Sequence, residues 1–467
     1  MKKFNLLKVL GIAFLIVFIL SWVIPAGAFT EGTFKSLGST ITIGLYDLLR
    51  TPVLTIATFI QYGLLMLAIG AFYGILNKTG VYSKLVDKVV EKWKKHDKAF
   101  LILTVVIFAL LSSLTSLSSL LFVLVPFFVS ILLLLNHNKI TAFAATIGAM
   151  LVGQIGTTIG FNIWGNIKMF LNINMTSALL ARIIFLVMII FLFVIMVIKP
   201  KKEDKKDKKE DFEIPFYEAK ENKKSFIPLI IISIITLVIL LFGMYNLFNA
   251  FDINIFNTFH ETITTFEING YPIFGKLLGS VSQLGQWGNY DLVVILLFSA
   301  LLIGWTYNLK FNEILEGLKN GMKKMLPTAF YAMMASIVFT AVLNMNGSNF
   351  VNTIVNKLMT SSENFSLMPT VLSSGIASFF QNDFYTLMGT YAGVFGVFDK
   401  TALPIIGVII QSMYGLVMLI APTSIFLLAG LRFMDIPYKE WIAKIWKYAL
   451  VVLGLIIVVA FVLTMAV

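Results

Sequence analysis

Long apolar segments recur along the whole chain, and each is about as long as a membrane-spanning helix. A helix needs about 20 mostly apolar residues to cross a bilayer. The chain has 58% hydrophobic and 13% charged residues, whereas a soluble domain has about 45–50% and about 25%. We therefore expect an all-α integral membrane protein with about nine transmembrane helices. The apolar segments are 4–24, 53–76, 99–135, 140–163, 177–198, 226–247, 290–306, 327–345, 367–398, 402–430 and 445–466.

Several classes of site are excluded by residues that the sequence lacks. There is no cysteine, which excludes disulfides and thiolate chemistry. His96, His137 and His260 stand alone without metal-ligand spacing. The net charge is +12, but few of the 36 basic residues are arginine, the usual side chain for bidentate contacts to nucleic acid. We expect no enzyme activity, metal, cofactor or nucleic-acid partner; membrane lipid and a small-molecule substrate are the expected partners.

The basic residues predict an orientation in the plasma membrane. With a cytoplasmic N-terminus, all but seven of the 36 Lys and Arg residues fall in cytoplasmic segments, as the positive-inside rule requires. The C-terminus is then external. The seven exceptions are Lys35, Arg50, Lys168, Arg182, Lys276, Lys357 and Lys400.

Residues 1–37 are expected to form the first transmembrane helix and an external loop. Ala26-Gly27-Ala28 is similar to a signal-peptidase site. The apolar run before it is longer than the apolar region of most signal peptides, which is about 7–15 residues. We therefore favour an uncleaved helix, with a cleaved signal peptide as the alternative.

Two apolar segments, 99–135 and 367–398, are too long for one crossing and too short for two. Each has a polar interruption near its middle, at 112–119 and at Gln381-Asn382-Asp383. Two apolar arms around a polar tip predict a re-entrant hairpin, which a membrane tolerates where protein or a cavity covers the tip.

An internal repeat relates 38–198 to 311–467. The sequence from Ile75 to Gly80 is echoed from Val342 to Gly347, and a similar start follows each predicted hairpin, at Lys139 and Lys400. The predicted orientation makes the two copies inverted. Inverted repeats with broken helices are typical of secondary transporters that bind their substrate between the repeats.

Two segments separate the predicted repeats. Residues 199–224 are rich in lysine and acidic residues, and we favour a solvated cytoplasmic linker over a lipid-headgroup or regulatory switch. Residues 225–310 are expected to supply two connecting helices with an external segment at 248–289.

Polar residues at the two predicted tips are candidates for the binding site. Of the 24 acidic residues, only Asp383 lies deep in an apolar segment, where a charge costs about 2.5–3.5 kcal/mol. We favour contact with a substrate or a coupling cation; a helix cap or an external loop is the alternative. Ser116, Ser118 and Ser119 form the other tip, and their hydroxyls suit either an anionic substrate or helix packing. Gln381 and Asn382 complete the second tip.

The helix after each predicted hairpin is also interrupted by polar residues. Thr157, Thr158 and Asn162 lie at the first interruption, and Thr423 and Ser424 at the second. Such residues bind a carboxylate or a cation at a broken helix, or they accompany a packing kink.

Two further features have mainly structural explanations. Arg182 lies near the start of an apolar segment, and we favour snorkelling to the membrane surface over contact with a substrate carboxylate. The spacings Gly70–Gly74, Gly156–Gly160 and Gly389–Gly393 predict close helix packing.

Three motifs resemble the C4-dicarboxylate and basic amino-acid carriers, the YfcC-like branch of the ion-transporter superfamily. They are Trp22-Val23-Ile24-Pro25-Ala26-Gly27-Ala28, the arm from Asn312-Glu313-Ile314 to Met325-Leu326-Pro327, and Pro422-Thr423-Ser424 followed by Ile436-Pro437-Tyr438-Lys439-Glu440-Trp441. The resemblance implies an elevator-type fold with two hairpins, import or exchange of small carboxylate-bearing solutes, and a possible homodimer. The chain departs from the family at Ile163, at Leu117-Ser118-Ser119 and at 381–384.

Together these features predict a secondary active transporter, as a uniporter, symporter or exchanger. Because Asp383 suits an amino group, we favour amino acids, including basic ones, with C4-dicarboxylates as the alternative. A channel or an intramembrane enzyme is the alternative of another class. Coupling to H⁺ or Na⁺ is left open.

Overall fold

Helices form nearly all of the regular structure in the computed structural model. It describes residues 6–30, 33–38, 41–198, 214–219, 222–343, 345, 349–361, 365–395 and 398–465. The helices up to residue 198 are α1 (Leu6–Val23), α2 (Leu45–Thr58), α3 (Ile60–Lys78), α4 (Val81–Trp93), α5 (Asp97–Thr115), α6 (Ser118–Leu134), α7 (Lys139–Phe143), α8 (Ala149–Ile155), α9 (Asn166–Leu171) and α10 (Leu179–Met196). Two π-helical turns, Ala144–Gly148 and Phe161–Gly165, precede α8 and α9.

The later helices begin after residue 222. They are α11 (Ile227–Met244), α12 (Leu247–Phe251), α13 (Ile255–Thr264), α14 (Ile273–Leu278), α15 (Asn289–Thr306), α16 (Phe311–Met334), α17 (Ile337–Leu343), α18 (Phe350–Met359), α19 (Leu367–Phe380), α20 (Phe384–Phe395), α21 (Leu403–Ile420), α22 (Ile425–Phe433) and α23 (Tyr438–Met465).

Two short antiparallel ribbons depart from the purely helical prediction. One pairs β1 (Gly27–Thr30) with β2 (Thr33–Ser36), and the other pairs β3 (Glu267–Ile268) with β4 (Tyr271–Pro272). Asn269 and Gly270 join β3 to β4 with φ values of 53° and 76°. An Asn-Gly pair favours this positive-φ turn. The sequence therefore indicated a β-hairpin here, which the analysis of apolar segments did not predict.

The prediction of a multi-pass helical protein is confirmed. In the described part of the chain, 9 helices are long and apolar enough to cross a membrane. The set differs from the prediction at one place: α5 qualifies, whereas the helix Lys139–Ile155 is too short. The reason is the helix break after Ile155, because the chain resumes a helical course only at Phe161.

Both segments that were predicted as hairpins are interrupted at their polar tips. Ser116, with φ 55°, and Leu117 separate α5 from α6. Gln381, Asn382 and Asp383 separate α19 from α20. Each segment therefore consists of two helices joined by a break of two or three residues.

Glycines allow α3 and α16 to pack with their backbones in contact. A Cβ on Gly74 would overlap the carbonyl oxygen of Gly317, and one on Gly321 would overlap that of Gly70. The predicted close packing at Gly70–Gly74 is therefore confirmed, and its partner is α16.

At the first helix break, residues 156–160, backbone carbonyls that lack a helical partner accept hydrogen bonds from four side chains elsewhere in the chain. Hydrocarbon cannot supply such partners. The bonds run from Gln411 to Ile155 (2.9 Å), from Ser113 to Gly156 (2.8 Å), from Arg182 to Thr158 (2.5 Å) and from Tyr245 to Ile159 (2.6 Å). These bonds fix the unwound backbone in one conformation.

Arg182 does not snorkel, in contrast to the prediction. Its side chain is 1% exposed, and its guanidinium lies 3.4 Å from the centre of the Trp164 ring. The guanidinium donates to the carbonyls of Thr158 and Met175. The buried charge is therefore part of the support of the helix break.

The second helix break, at 421–424, is supported in a similar way. Trp441 donates to the carbonyl of Leu419 at 2.9 Å, and Tyr438 donates to the carbonyl of Ile420. The amide of Asn382 donates to the carbonyl of Thr423 at 2.7 Å. In both halves, the donors thus include a residue of the preceding interrupted segment and a residue of the following long helix.

Part of the predicted charged linker packs against the helices. Phe216 is 2% exposed, with its ring 5.6 Å from that of Tyr73. The Tyr217 hydroxyl donates to Asp87 at 2.6 Å. Phe216 and Tyr217 therefore attach this part of the charged segment to the helices. Residues 199–213 and 220–221 of the predicted linker lie outside the described residues.

We expect Gly74→Leu to destabilise the fold, because the new side chain would overlap the backbone of α16. Overpacking costs about 1–3 kcal/mol, and thermal unfolding in detergent measures the loss. Gly454→Leu is the control, since a Cβ there meets nothing within 4 Å. Equal unfolding temperatures for the two variants would contradict the proposed backbone contact.

Replacing Arg182 with methionine should destabilise the helix break. It leaves two buried carbonyls without this donor, and each costs about 1–3 kcal/mol. Arg432→Met, which removes a half-exposed ion pair with Asp435, should change stability by no more than about 0.5 kcal/mol. Chemical denaturation of both variants tests this, and an Arg182→Met protein as stable as the parent would refute it.

Candidate functional site

A cavity of about 430 Å³ lies where the two interrupted segments meet the two helix breaks. It brings together residues that are distant in the sequence. Seven of the eleven predicted site residues line it: Ser116, Ser118, Ser119, Asn162, Asn382, Asp383 and Ser424. The sequence therefore identified both tips and both helix breaks as parts of its wall.

The first tip presents hydroxyl groups to the cavity. Ser118 Oγ accepts a bond from Gln154 Nε2 at 2.6 Å, so its own hydrogen is available to a ligand. Ser116 Oγ is buried and has no partner among the described residues. Asn162 Nδ2 donates to the carbonyl of Ser116 at 3.3 Å, which joins the tip to the first helix break.

At the second tip, Asn382 is fixed by its neighbours. Its Nδ2 donates to Ser336 Oγ at 3.0 Å and to the carbonyl of Thr423 at 2.7 Å. The Tyr414 hydroxyl donates to its carbonyl at 2.8 Å. Asn382 Oδ1 is buried without a partner in the described structure, so one acceptor is left at the cavity wall.

Asp383 both caps a helix and faces the cavity. Its Oδ2 accepts from the backbone N–H and the hydroxyl of Thr386 at 2.9 and 2.8 Å, which caps α20. The side chain is half-buried and is the only charged one among the described residues that line the cavity. A helix cap and contact with a bound ligand, which the sequence analysis gave as alternatives for Asp383, are therefore compatible.

Four predicted residues lie behind the cavity wall. Gln381 Nε2 bonds to Thr390 Oγ1 at 2.9 Å and thereby joins the second tip to α20. The Thr157 hydroxyl donates to the carbonyl of Gln154 at 2.9 Å. Thr158 bonds to Ser113 at 3.0 Å through its backbone N–H, and the carbonyl of Thr423 is held by Asn382. The bonds of Thr157 and Thr158 thus support the first helix break, and that of Gln381 supports the second tip. Thr423 contributes only its carbonyl, because its Oγ1 is buried without a partner among the described residues.

Several polar and aromatic lining residues were missed. They come from the start of α3, from α8, α9 and α20, from the start of α15 and the residues just before it, and from the middle of α21. Gln61 Oε1 accepts from Asn289 Nδ2 at 3.4 Å. The position of Gln61 inside the apolar segment 53–76 could have identified it as a candidate site residue. The missed residues are Gln61, Tyr62, Gln154, Asn166, Trp287, Asn289, Tyr385 and Tyr414.

Two helix N-termini face the cavity without a capping side chain. Ser118 and Ser119 begin α6, and Ile425 begins α22 directly after its N-cap residue Ser424. Neither start has a side-chain cap. The first N–H groups of a helix have no partner within it, and with the helix dipole they bind anions. The cavity therefore offers two separate anion-binding groups.

Comparison with known proteins gives one family match over nearly the whole chain. Residues 5–467 match the sequence profile of DcuC, the C4-dicarboxylate anaerobic carrier. This confirms the family resemblance of the sequence motifs. No curated protein matches the chain.

Two solved structures are similar to this fold. The Alcanivorax borkumensis YdaH transporter has 14% identity and a TM-score of 0.41, covering 98% of each chain. Neisseria gonorrhoeae MtrF, described within a class of antimetabolite efflux pumps, has 13% identity and a TM-score of 0.38, covering 98% of this chain and 94% of that one. Both scores are below 0.5, so the assignment rests on the family match. The chain belongs to the C4-dicarboxylate anaerobic carrier (DcuC) family and is a multi-pass integral membrane transporter, not an enzyme.

Proposed function

We propose that this protein is a secondary active transporter of C4-dicarboxylates. The observation that carries the proposal is the pair of uncapped helix N-termini, α6 and α22, at one cavity. A dicarboxylate has two anionic groups, and each helix start can bind one. The family match favours this substrate over the amino acids that we favoured from the sequence.

Hydroxyl groups beside the helix starts orient the two carboxylates. Ser118 can donate to the first because Gln154 already occupies an acceptor site on its oxygen. Ser116 Oγ, which lacks a partner in the described structure, donates to the same carboxylate. Ser424 lies at the start of α22 and serves the second carboxylate.

Charge at the site favours coupling to a cation. The described lining includes Asp383 and no Lys, Arg or His, so a bound dianion adds to a negative wall. Like charges in a poorly solvated site repel strongly. An H⁺ or Na⁺ at Asp383 and Asn382 Oδ1 offsets this repulsion and enters with the substrate.

The proposed mechanism is an elevator movement of two inverted repeats. The same order of elements occurs twice: an interrupted segment, a broken helix and a long final helix, as α5 to α10 and as α19 to α23. The interrupted segments are re-entrant hairpins, and α3 and α16 belong to the static scaffold. The N-terminus is cytoplasmic and the C-terminus external, in agreement with the basic residues.

Asp383 also favours a second candidate substrate class. A carboxylate at a cavity that holds an anion can bind an ammonium group 2.7–2.9 Å away in the usual geometry. An amino acid carries both an ammonium and a carboxylate group, so amino acids, which the sequence analysis favoured, are the alternative substrate.

Uptake into proteoliposomes should distinguish these substrates. We expect transport of labelled succinate, with faster uptake when unlabelled succinate is inside, and no transport of arginine or ornithine. Labelled aspartate tests a substrate that carries both an amino group and two carboxylates. Arginine transport without succinate transport would contradict the dicarboxylate assignment, and uptake without stimulation by internal substrate would indicate a channel.

Ser118→Ala should raise the KM for succinate at least tenfold, because a hydrogen bond to a charged group contributes about 1.5–3 kcal/mol. Ser361→Ala, at the exposed end of α18, should leave KM unchanged. The same uptake assay measures both. An unaltered KM in Ser118→Ala would place the substrate elsewhere.

Asp383→Asn should abolish coupling while preserving the fold. The amide oxygen can still accept from Thr386, but it can neither be protonated nor neutralise a cation. We expect gradient-driven uptake to fall at least tenfold with imposed H⁺ and Na⁺ gradients tested separately. Asp399→Asn, an exposed substitution nearby, is the control. Undiminished gradient dependence in Asp383→Asn would exclude this role.

A further inference from the structure

An apolar groove of about 190 Å³ shares no lining residue with the substrate cavity. Its walls come from α3, α4, α6, α11 and α15. Phe72, Leu124 and Leu237 are among the lining residues. Ile234, at the rim, is 54% exposed, so the groove opens to the outer surface of the helices. In a multi-pass membrane protein, that surface meets lipid.

A polar pocket of about 580 Å³ adjoins this groove. Both are lined by α4: Lys84 and Lys88 line the polar pocket, and Leu85 between them lines the groove. Phe226 lines the polar pocket, and Leu229, one turn later, lines the groove. These short spacings place a charged mouth beside an apolar floor, and we refer to the groove and the polar pocket together as the slot.

The charged mouth contains both signs. Lys84, Lys88 and Lys223 line it together with Asp87 and Glu91. Lys84 Nζ donates to the Lys224 carbonyl at 3.1 Å, which leaves it two further N–H donors, and Lys88 Nζ lies 4.9 Å from the centre of the Phe226 ring. Asp87 already accepts the Tyr217 hydroxyl at 2.6 Å, which leaves Glu91 as the carboxylate for a ligand. The mouth therefore suits a headgroup that carries a phosphate and an amine.

Tyr82 supplies an independent sign of a ligand. Its side chain is 1% exposed and lines the groove. The hydroxyl of Ser130 lies beside it but donates to the carbonyls of Pro126 and Pro215, and within the described part of the chain no group forms a hydrogen bond of good geometry with the Tyr82 hydroxyl. A buried hydroxyl without a partner is costly, and an ester carbonyl within the groove would satisfy it.

We propose that this slot binds a zwitterionic aminophospholipid, of the phosphatidylethanolamine class. The lysines bind the phosphate, and Glu91 binds the ammonium group. The Tyr82 hydroxyl donates to an ester carbonyl. One acyl chain lies along the groove from Leu229 to Leu237, a distance of about 12 Å at 1.5 Å per residue. This proposal depends on the protein being embedded in a membrane and does not depend on which substrate it transports.

Native mass spectrometry of the delipidated full chain in detergent tests this site. The probes are phosphatidylethanolamine, phosphatidylglycerol with the same acyl chains, and free phosphoethanolamine. We expect phosphatidylethanolamine to bind at least fivefold more tightly than phosphatidylglycerol and free phosphoethanolamine not to bind. Equal affinity for the two lipids would overturn the headgroup assignment, and tight binding of free phosphoethanolamine would overturn the acyl-chain contribution.

Matched variants test each part of the slot. Glu91→Gln should remove the preference for phosphatidylethanolamine, whereas Lys92→Gln, on the exposed side of the same helix, should retain it. Ser233→Trp fills the groove and should weaken both lipids at least fivefold; Ile235→Trp, which is 52% exposed, should not.

A conservative variant keeps the test independent of folding. Tyr82→Phe removes only the hydroxyl and should weaken lipid binding severalfold without lowering the unfolding temperature of the lipid-free protein. Wild-type lipid affinity in both Tyr82→Phe and Ser233→Trp would refute the site.

Discussion

Hydrocarbon offers no hydrogen bonds, so every backbone group within a bilayer must find its partner inside the protein. The two helix breaks of this transporter are the places where that requirement is hardest to meet. At the first, side chains of Gln411, Arg182 and Tyr245 reach carbonyls that a continuous helix would have satisfied itself. At the second, Trp441 and Asn382 do the same. The rest of the site depends on these bonds.

Opening a helix also creates a new N-terminus, and this explains how the site forms. The starts of α6 and α22 lie at the same cavity, and the two helices pack against each other through Phe122 and Phe426, whose ring centres are 6.0 Å apart. Partial positive charge from backbone amides then replaces the basic side chains that the described lining lacks. Under the proposed function, Asp383 requires a cation to accompany the substrate, so backbone geometry and coupling are two consequences of one arrangement.

The glycine contact between α3 and α16 has a different physical role. The backbones of α3 and α16 approach so closely at Gly74 and Gly317 that no side chain fits between them. A closely packed helix pair of this kind is suited to the static scaffold of the proposed elevator movement. The lipid slot lies between α6 and helices packed near α3, where a bound lipid would fill a boundary between these parts.

The sequence by itself determined the membrane class, the family and the location of both interruptions, because these depend on local composition and on short motifs such as Gln381-Asn382-Asp383. Seven of the predicted site residues reached the cavity for the same reason. Only the tertiary structure decided which residues face the cavity and which support the breaks. Arg182 and Gln61 gave little local indication of their contacts, since their partners at Thr158 and Asn289 lie 24 and 228 residues away. A hydrogen bond between distant segments leaves no periodic pattern in the chain, and packing of the helices creates it.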